Sequence, residues 1–519
     1  MNISVKINLR YVHNLFWILG VLILPFLIFV SSSYAKPQAK STTGEKWVGT
    51  WSTAPQLVET GNNPPAPGLS NNTIRQIVHV SIGGDSLRIR FSNEFSKSSV
   101  TMKSVHIALS KGNGIIDTTT DKILYFKGSP EITMKADSAV TSDSFQYTLQ
   151  PLSDVDITIY FGNTSPDITG HPGSRTTSYI LTGDEVAKPD FSGAVTTDHW
   201  YVINSIDILA TDSSSAIAIL GDSITDGRGS GTNKQDRWPD ELARRLQNNP
   251  DTKNVAVLNE GIGGNCVLGQ CLGPSALSRF NRDVLDQSGV KWVIILEGIN
   301  DIGYGWNSTQ VAQNLISAFG QMIDSAHAHG IKVYGATLLP FGGSSYDSPD
   351  HQKAWQTVND WIRKSGRFDA VIDLDSAMQD NSNPPRLLPA YDSGDHLHPS
   401  ETGHHMMAEA VDLTLFSGKS ATLINEGLKN QPVKFLLMQN YPNPFNPETQ
   451  IGYSVPKSSF ITLKIYNLLG QELKTLYEGY RQPGNYSVSF DSEGLSSGIY
   501  LYQLSSGNFS ETKKLILLK

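Results

Sequence analysis

Ser223 lies just past the apolar run Ala216-Ile217-Ala218-Ile219-Leu220, separated from it only by Gly221-Asp222. A serine hydroxyl becomes a useful nucleophile only when a base takes its proton during attack. Among the 12 histidines, His398 stands out because Asp395 precedes it by three residues in the turn-rich Ser393-Gly394-Asp395-His396-Leu397-His398-Pro399. At that spacing the carboxylate can reach Nδ1 and leave Nε2 free for a serine. An imidazole titrating near ~6.5 can then act as base and afterwards as acid around neutrality. Acyl transfer also needs donors aimed at the oxyanion of the tetrahedral intermediate. Asn300 follows the apolar run Val290–Leu296, and the glycine-rich Asn259–Asn265 follows Val255–Leu258. Any of Gly261, Gly263 and Gly264 could bring a backbone N–H close to a substrate there. Taken singly these signals are weak: a serine in a strand-to-loop turn is common, and Asp-x-x-His is more often structural or a metal-ligand pair.

The elements that must position these groups are short apolar runs separated by helical patterns. Ala216–Leu220, Val255–Leu258, Val290–Leu296, Lys332–Ala336 and Ala370–Asp373 read as strands buried on both faces of a parallel sheet. Helical patterns begin near Trp238-Pro239 and run from about Val311 to His329, where Phe319, Met322 and Ile323 mark a buried side. Strand–helix repetition over residues 211–416 predicts a three-layer α/β domain. In such a sheet, ligands bind beyond the carboxyl ends of the strands, where Ser223 and Asn300 fall. The serine lacks the Gly-x-Ser-x-Gly elbow, which argues against the α/β-hydrolase superfamily. His327, His329, His404 and His405 lie in helical stretches and read as ordinary histidines.

In this order, Gly221-Asp222-Ser223-Ile224, Asn259–Asn265, Gly298-Ile299-Asn300-Asp301 and Asp395-His396-Leu397-His398 resemble the four blocks of the GDSL/SGNH hydrolases. The resemblance implies a flavodoxin-like α/β fold and an esterase. It assigns Ser223 as nucleophile, His398 as general base and acid, and Asp395 as its orienting partner. It builds the oxyanion hole from the Ser223 and Gly264 amides and the Asn300 side chain, with Gly264 selected by matching Ile262-Gly263-Gly264 to the second block. Asp222 and Asp301 then hold loops by hydrogen bonds. No cofactor or metal is called for. The surrounding segments, Leu296–Asp301 and Asp392–Pro399, are similar to a two-domain subgroup of esterases, some associated with xylan degradation.

The rest of the chain frames this core. Lys6 and Arg10 precede an apolar run from Leu15 to Val30, and Ser33-Tyr34-Ala35 offers small residues at a cleavage site. Residues 1–35 therefore read as a secretory signal peptide, leaving no membrane span in the mature form. In an exported protein, Cys266 and Cys271 are expected to form a disulfide rather than a zinc site. Residues 47–210 read as a β-sandwich of jelly-roll type, with alternation at Val105-Ile107-Leu109 and Val155–Phe161. Val78, Val80 and Ile82, the turn Gly83-Gly84-Asp85, and Leu87, Ile89 and Phe91 predict a hairpin. Trp47 and Trp51 read as packing residues rather than a sugar platform. The loops Asn93-Glu94 and His171–Arg175 are expected to reach over the cleft.

Residues 417–432 are polar and read as a linker. The stretch 433–519 opens with Asn440-Tyr441-Pro442-Asn443-Pro444-Phe445-Asn446-Pro447 and continues through Thr462–Tyr466 and Gly494–Tyr502. Pattern alone gives a small immunoglobulin-like β-sandwich. The segment resembles the type A sorting domain of type IX secretion, which implies that machinery as a partner and export to the surface or medium of a Bacteroidetes-type bacterium. A net charge of -8 with no basic patch argues against a nucleic-acid partner. The expected function is hydrolysis of short-chain, chiefly acetyl, esters on plant polysaccharide, xylan first and pectin second. The alternatives are a broad carboxylesterase or arylesterase and, more remotely, an inactive carbohydrate-binding surface protein.

Overall fold

The computed structural model describes residues 44–269, 271–380, 382–417, 434–457, 459–481, 484–507 and 509–519. The leader 1–35 and, Ser417 apart, the linker lie outside these residues. Ser215–Gly221, buried at every position, forms the second strand of a five-stranded parallel sheet. Val255–Gly261 flanks it on one side; Val290–Leu296, Lys332–Ala336 and Ala370–Ile372 follow on the other. Numbered along the chain the order is 2-1-3-4-5. The order reverses beside the first strand, so a crevice opens between the carboxyl ends of Ser215–Gly221 and Val290–Leu296.

Helices Trp238–Gln247, Ser308–Ala328, Pro349–Lys364 and Glu401–Glu409 accompany this sheet. The first buries Trp238, Leu242, Ala243 and Leu246, and Ser308–Ala328 buries Phe319, Met322 and Ile323 on the face expected from their spacing.

The N-terminal strands form two larger antiparallel sheets with one shared core. One contains Glu45–Ser52, Ile203–Thr211 and Gly84–Asn93; the other contains Ser178–Thr182, Asn72–His79, Asp154–Phe161 and Val100–Leu109. Leu87, Ile89 and Phe91 from the first sheet meet Ile74, Val105, Ile107, Ile157 and Ile159 from the second. That core continues into the parallel sheet through Ala216, Ala256 and Leu258. Glu45–Ser52 lies over this part of the sheet, and close approach requires Gly49, where an added Cβ would sit 3.0 Å from Leu258 Cδ1.

The expected hairpin is corrected. Asn72–His79 pairs with Asp154–Phe161 and Ser178–Thr182, whereas Gly84–Asn93 pairs with Ile203–Thr211, Ser138–Thr141 and Phe145–Leu149. The two strands pass into opposite sheets and point their alternating apolar residues at each other across the core. Alternation is the same in a hairpin and in such an arch; only the partners of the turn differ. Here Val80 N–H donates to Ser153 O, Ser81 N–H donates to Thr50 O, and Ile82 N–H donates to Thr50 Oγ1. Trp51 packs edge-on to Trp200 at 5.1 Å, and Trp47 lies 4.5 Å under the Arg88 guanidinium, so both serve packing.

The C-terminal stretch holds a three-stranded sheet, with Glu448–Val455 at its centre, and a four-stranded sheet that includes Ser459–Tyr466. Ile461, Leu463, Ile465, Tyr453, Tyr502 and Leu515 share their core.

A Cβ on Gly83 would fall 2.3 Å from Leu149 O and 2.9 Å from Pro151 Cδ. Gly83→Ala is therefore expected to destabilise the arch by ~1–3 kcal/mol, the cost of overpacking. Thermal melting against Gly193→Ala, where nothing lies within 4 Å of an added Cβ, checks this; equal melting temperatures would refute it.

Candidate active site

Gly221 ends the strand Ser215–Gly221 where a side chain could not fit: its Cβ would meet Thr225 Oγ1 at 2.2 Å and Leu296 O at 2.8 Å. The chain then turns sharply into the one-turn helix Ser223–Asp226, and Asp222 caps it by accepting the Ile224 N–H at 2.9 Å. Gly227, at φ 106, closes the turn. Burial, opposed by that capping bond, pushes the Asp222 carboxyl up to about 7. Ser223 is thereby presented at the sheet's carboxyl edge.

The structure brings Ser223, His398 and Asp395 together. His398 Nδ1 lies 2.7 Å from Asp395 Oδ2, and His398 Nε2 lies 2.8 Å from Ser223 Oγ. With the carboxylate accepting the Nδ1 proton, Nε2 is left to accept from the serine hydroxyl. Asp395 Oδ1 also accepts the backbone N–H groups of His398 and Leu397 at 2.9 and 3.0 Å. Burial raises the Asp395 carboxyl, but these bonds and the imidazole outweigh it and hold it down at about 2. Burial lowers the His398 imidazole; Asp395 opposes that, while Arg228 and Arg175 add to it, and the net shift is downward.

The oxyanion candidates converge on the same spot. Asn300 is buried, donates from Nδ2 to Asn265 O at 2.7 Å and accepts the Tyr346 hydroxyl at 2.9 Å. Those two bonds fix the amide and leave one N–H for a ligand. Gly264 adopts φ +69, and its N–H and that of Ser223 have no hydrogen-bond partner among the described residues. Gly263 and Gly264 both line the cleft. Gly261 does not: its N–H is taken by Asn259 Oδ1 at 3.0 Å, and an added Cβ would meet Asp226 N at 2.3 Å.

Asp301 holds the following loop, accepting Val267 N–H at 2.8 Å and Leu268 N–H at 3.0 Å. The loop is closed by the Cys266–Cys271 disulfide, and Leu272 N–H returns to Gly264 O at 3.2 Å. Beneath it, the buried Arg279 guanidinium donates to Gly221 O, Glu260 O and Asn265 Oδ1.

A cleft of ≈ 430 Å³ opens over Ser223 and His398. Arg175, Gly173 and Pro172 reach it from the N-terminal sheets, as expected of that loop. The Asn93-Glu94 loop does not, because Asn93 is turned to the carbonyls of Ser98 and Lys135. Asp226, under the cleft, accepts from or donates to His171 Nε2 at 2.8 Å while His171 Nδ1–H donates to Ala54 O at 2.9 Å. Sequence reasoning missed Arg228, Tyr346, Asp226 and Arg279. Tyr346 lies after Gly342-Gly343 in the loop beyond a sheet strand, a position that could have flagged it. Arg279 carries no local signal.

Among the described residues, no three His, Cys, Asp or Glu side chains group as a metal site, and no helix is long and apolar enough to cross a membrane.

Residues 219–406 match the GDSL-like lipase/acylhydrolase family, and residues 439–518 match the secretion system C-terminal sorting domain. The chain thus carries a hydrolase domain acting on esters and a sorting domain that directs export by type IX secretion to the cell surface or medium. Similar solved structures include a GDSL-like lipase from Bacteroides thetaiotaomicron, at 22% identity and TM-score 0.29, covering 38% of this chain and 85% of that one. A catalytic mutant of the acetylxylan esterase Axe2 from Geobacillus stearothermophilus matches at 21% identity and TM-score 0.30, covering 40% of this chain and 95% of that one. The hydrolase LAE5 from the metagenome of Lake Arreo matches at 20% identity and TM-score 0.30, covering 39% and 95%. No curated protein matches the chain.

Two outcomes follow from this geometry. Because the Cys266–Cys271 loop is also tied by Asp301, reduction is expected to lower esterase activity more than melting temperature; a large loss of thermal stability with unchanged activity would contradict this. Because His398 must be neutral to accept a proton and its pKa is depressed, activity is lost only as pH falls through that lowered value. The acid limb of kcat/KM is expected below pH ~6.5, the ordinary imidazole range; a limb above it would show the shift to be wrong.

Proposed function

We propose that this protein is an exported serine esterase that removes short acyl groups, chiefly acetyl, from plant polysaccharide. The observation that carries the reading is the hydrogen-bonded chain Asp395–His398–Ser223 opening into a cleft whose lining includes Gln56, Glu59, Asn62, Arg175, His199 and Arg228. These polar side chains suit a hydroxyl-rich alcohol, and the apolar Leu272, Tyr304, Tyr346 and Leu397 share the lining with them.

In this mechanism Ser223 Oγ attacks the ester carbonyl as His398 Nε2 takes its proton. The carbonyl oxygen gains the negative charge and is held by the Ser223 and Gly264 N–H groups and the free N–H of Asn300. Each such donor is worth roughly 3–4 kcal/mol in the transition state. Collapse of the intermediate breaks the bond to the alcohol, which leaves with the proton from His398. Water then attacks the acyl-enzyme, with His398 again as base, and frees the acid. Asp395 keeps the imidazole in the required tautomer and stabilises the imidazolium. Residues 47–210 would form a wall of the cleft, residues 211–416 the hydrolase domain, and residues 433–519 the sorting domain.

The test is acetate release from acetylated xylan by the protein and by Ser223→Ala, with 4-nitrophenyl acetate alongside. Acetate from both substrates, falling by at least 10³-fold in the variant, is expected. Turnover of the aryl ester alone would refute the polysaccharide assignment; turnover unchanged in the variant would refute the nucleophile.

A further inference from the structure

Two arginines in the cleft are not used by this chemistry. Arg175 comes from the N-terminal sheets and has φ 52, a left-handed conformation that costs energy outside glycine. It is held there: Asn233 N–H donates to Arg175 O at 2.9 Å, and Asn233 Oδ1 accepts the Thr177 N–H at 2.8 Å. The side chain lies along the cleft wall with Nε buried and without a hydrogen-bond partner among the described residues. Its nearest acid is Asp226, at a long 3.5 Å from Nη2. A buried guanidinium N–H left unpaired calls for an explanation.

Arg228 lies on the other side of the nucleophile turn. Its backbone is tied, N–H to Ser223 O at 2.8 Å and O to His404 Nε2 at 3.0 Å, while its side chain is exposed in the cleft. Nothing among the described residues pairs with that guanidinium.

The acids nearby are engaged elsewhere. Asp226 Oδ1 lies 2.8 Å from His171 Nε2, while His171 Nδ1 lies 2.9 Å from Ala54 O. Glu59 is the remaining acid on the wall and is engaged by Gln56 and Asn62. Glu59, Asp226 and Asp395 thus each have nearer partners than the two guanidinium groups, which stay available to an anion.

Position decides which part of the substrate they meet. His398 must touch the leaving alcohol oxygen, and both arginines line the cleft with it, Arg228 with its backbone N–H on Ser223 O. The oxyanion donors Gly264 and Asn300 are grouped with Leu272 and Tyr346. The arginines accordingly face the alcohol.

We propose that Arg175 and Arg228 form a carboxylate-binding subsite, so that the preferred alcohol is an acidic sugar unit bearing or adjoining the acetylated hydroxyl. The inference rests on the esterase reading above. A guanidinium fork matches a carboxylate in shape and charge.

The experiment compares kcat/KM for acetate release from acetylated oligogalacturonate with that from the same oligomer methyl-esterified and hence neutral. The wild-type ratio is expected to be about tenfold or more, the scale of one charge-assisted hydrogen bond. It is expected to fall several-fold in Arg175→Ala, with partial recovery in Arg175→Lys. Arg228→Glu, at an exposed side chain that the fold does not need, is expected to bring it below one. High salt should shrink the wild-type ratio. A wild-type ratio near one with acetate released from both oligomers would overturn the subsite and leave the esterase intact. Silence on both oligomers with 4-nitrophenyl acetate turned over would overturn the subsite and leave the esterase intact. Silence on the aryl ester as well would overturn the esterase reading and this subsite with it.

Discussion

A single buried cation, the Arg279 guanidinium, holds the carboxyl edge of the parallel sheet together. Removing a charge from water is costly unless every donor finds an acceptor. Arg279 finds Gly221 O at 3.0 Å, Glu260 O at 2.6 Å, Asn265 Oδ1 at 3.1 Å and Asp283 Oδ2 at 3.0 Å. Three of these acceptors belong to the ends of two adjacent strands and to the loop that follows one of them; Asp283 lies four residues on from Arg279, in the helical turn Asn281–Leu285. Asn265 passes the constraint on, its backbone O orienting Asn300 and its side-chain amide gripping the Leu272 and Pro274 carbonyls. The Ser223 turn and the glycine-rich loop after Val255–Gly261 are therefore referenced to one rigid point. Burial raises the carboxyls of Glu260 and Glu297 beneath it, which limits the uncompensated negative charge around Arg279.

A second constraint is that the parallel sheet does not complete its own surroundings. Glu45–Ser52 lies over the strands that carry Ala216, Ala256 and Leu258, and Ser52 Oγ donates to the buried Glu260 carboxyl. At the cleft, His171 and Gly173 press on Asp226, so closely that a Cβ on Gly173 would reach within 1.9 Å of its Oδ2. The N-terminal sheets thus help set the position of the helix that begins with Ser223 and also supply a wall of the cleft.

How much of this was legible depends on how local each signal is. Ser215–Gly221 and Val290–Leu296 announce themselves because a strand buried on both faces must be apolar at every position. Asp395 and His398 are legible because their contact spans one turn of backbone. The arch at Gly83 was not, since alternation reports which residues face a core and says nothing about the partner strand. Among the three glycines, the choice needed the free N–H and the φ of Gly264 and the occupied N–H of Gly261, neither of which has a sequence signature. Arg279 and Tyr346 act over sequence separations that no window contains, the latter reaching 46 positions back to Asn300.

The imidazole at the centre joins these constraints. Burial and two cationic neighbours hold His398 toward its neutral form, the form that can accept the Ser223 proton. In the proposed reaction the same neighbours would favour release of that proton to the leaving alcohol. A carboxylate seated between Arg175 and Arg228 would offset their charge and make His398 a stronger base when its own ester is in place. Substrate recognition and base strength would then be coupled through space. The coupling needs no conformational change, because the backbone of both arginines is already fixed, one by Asn233 and the other by Ser223 itself.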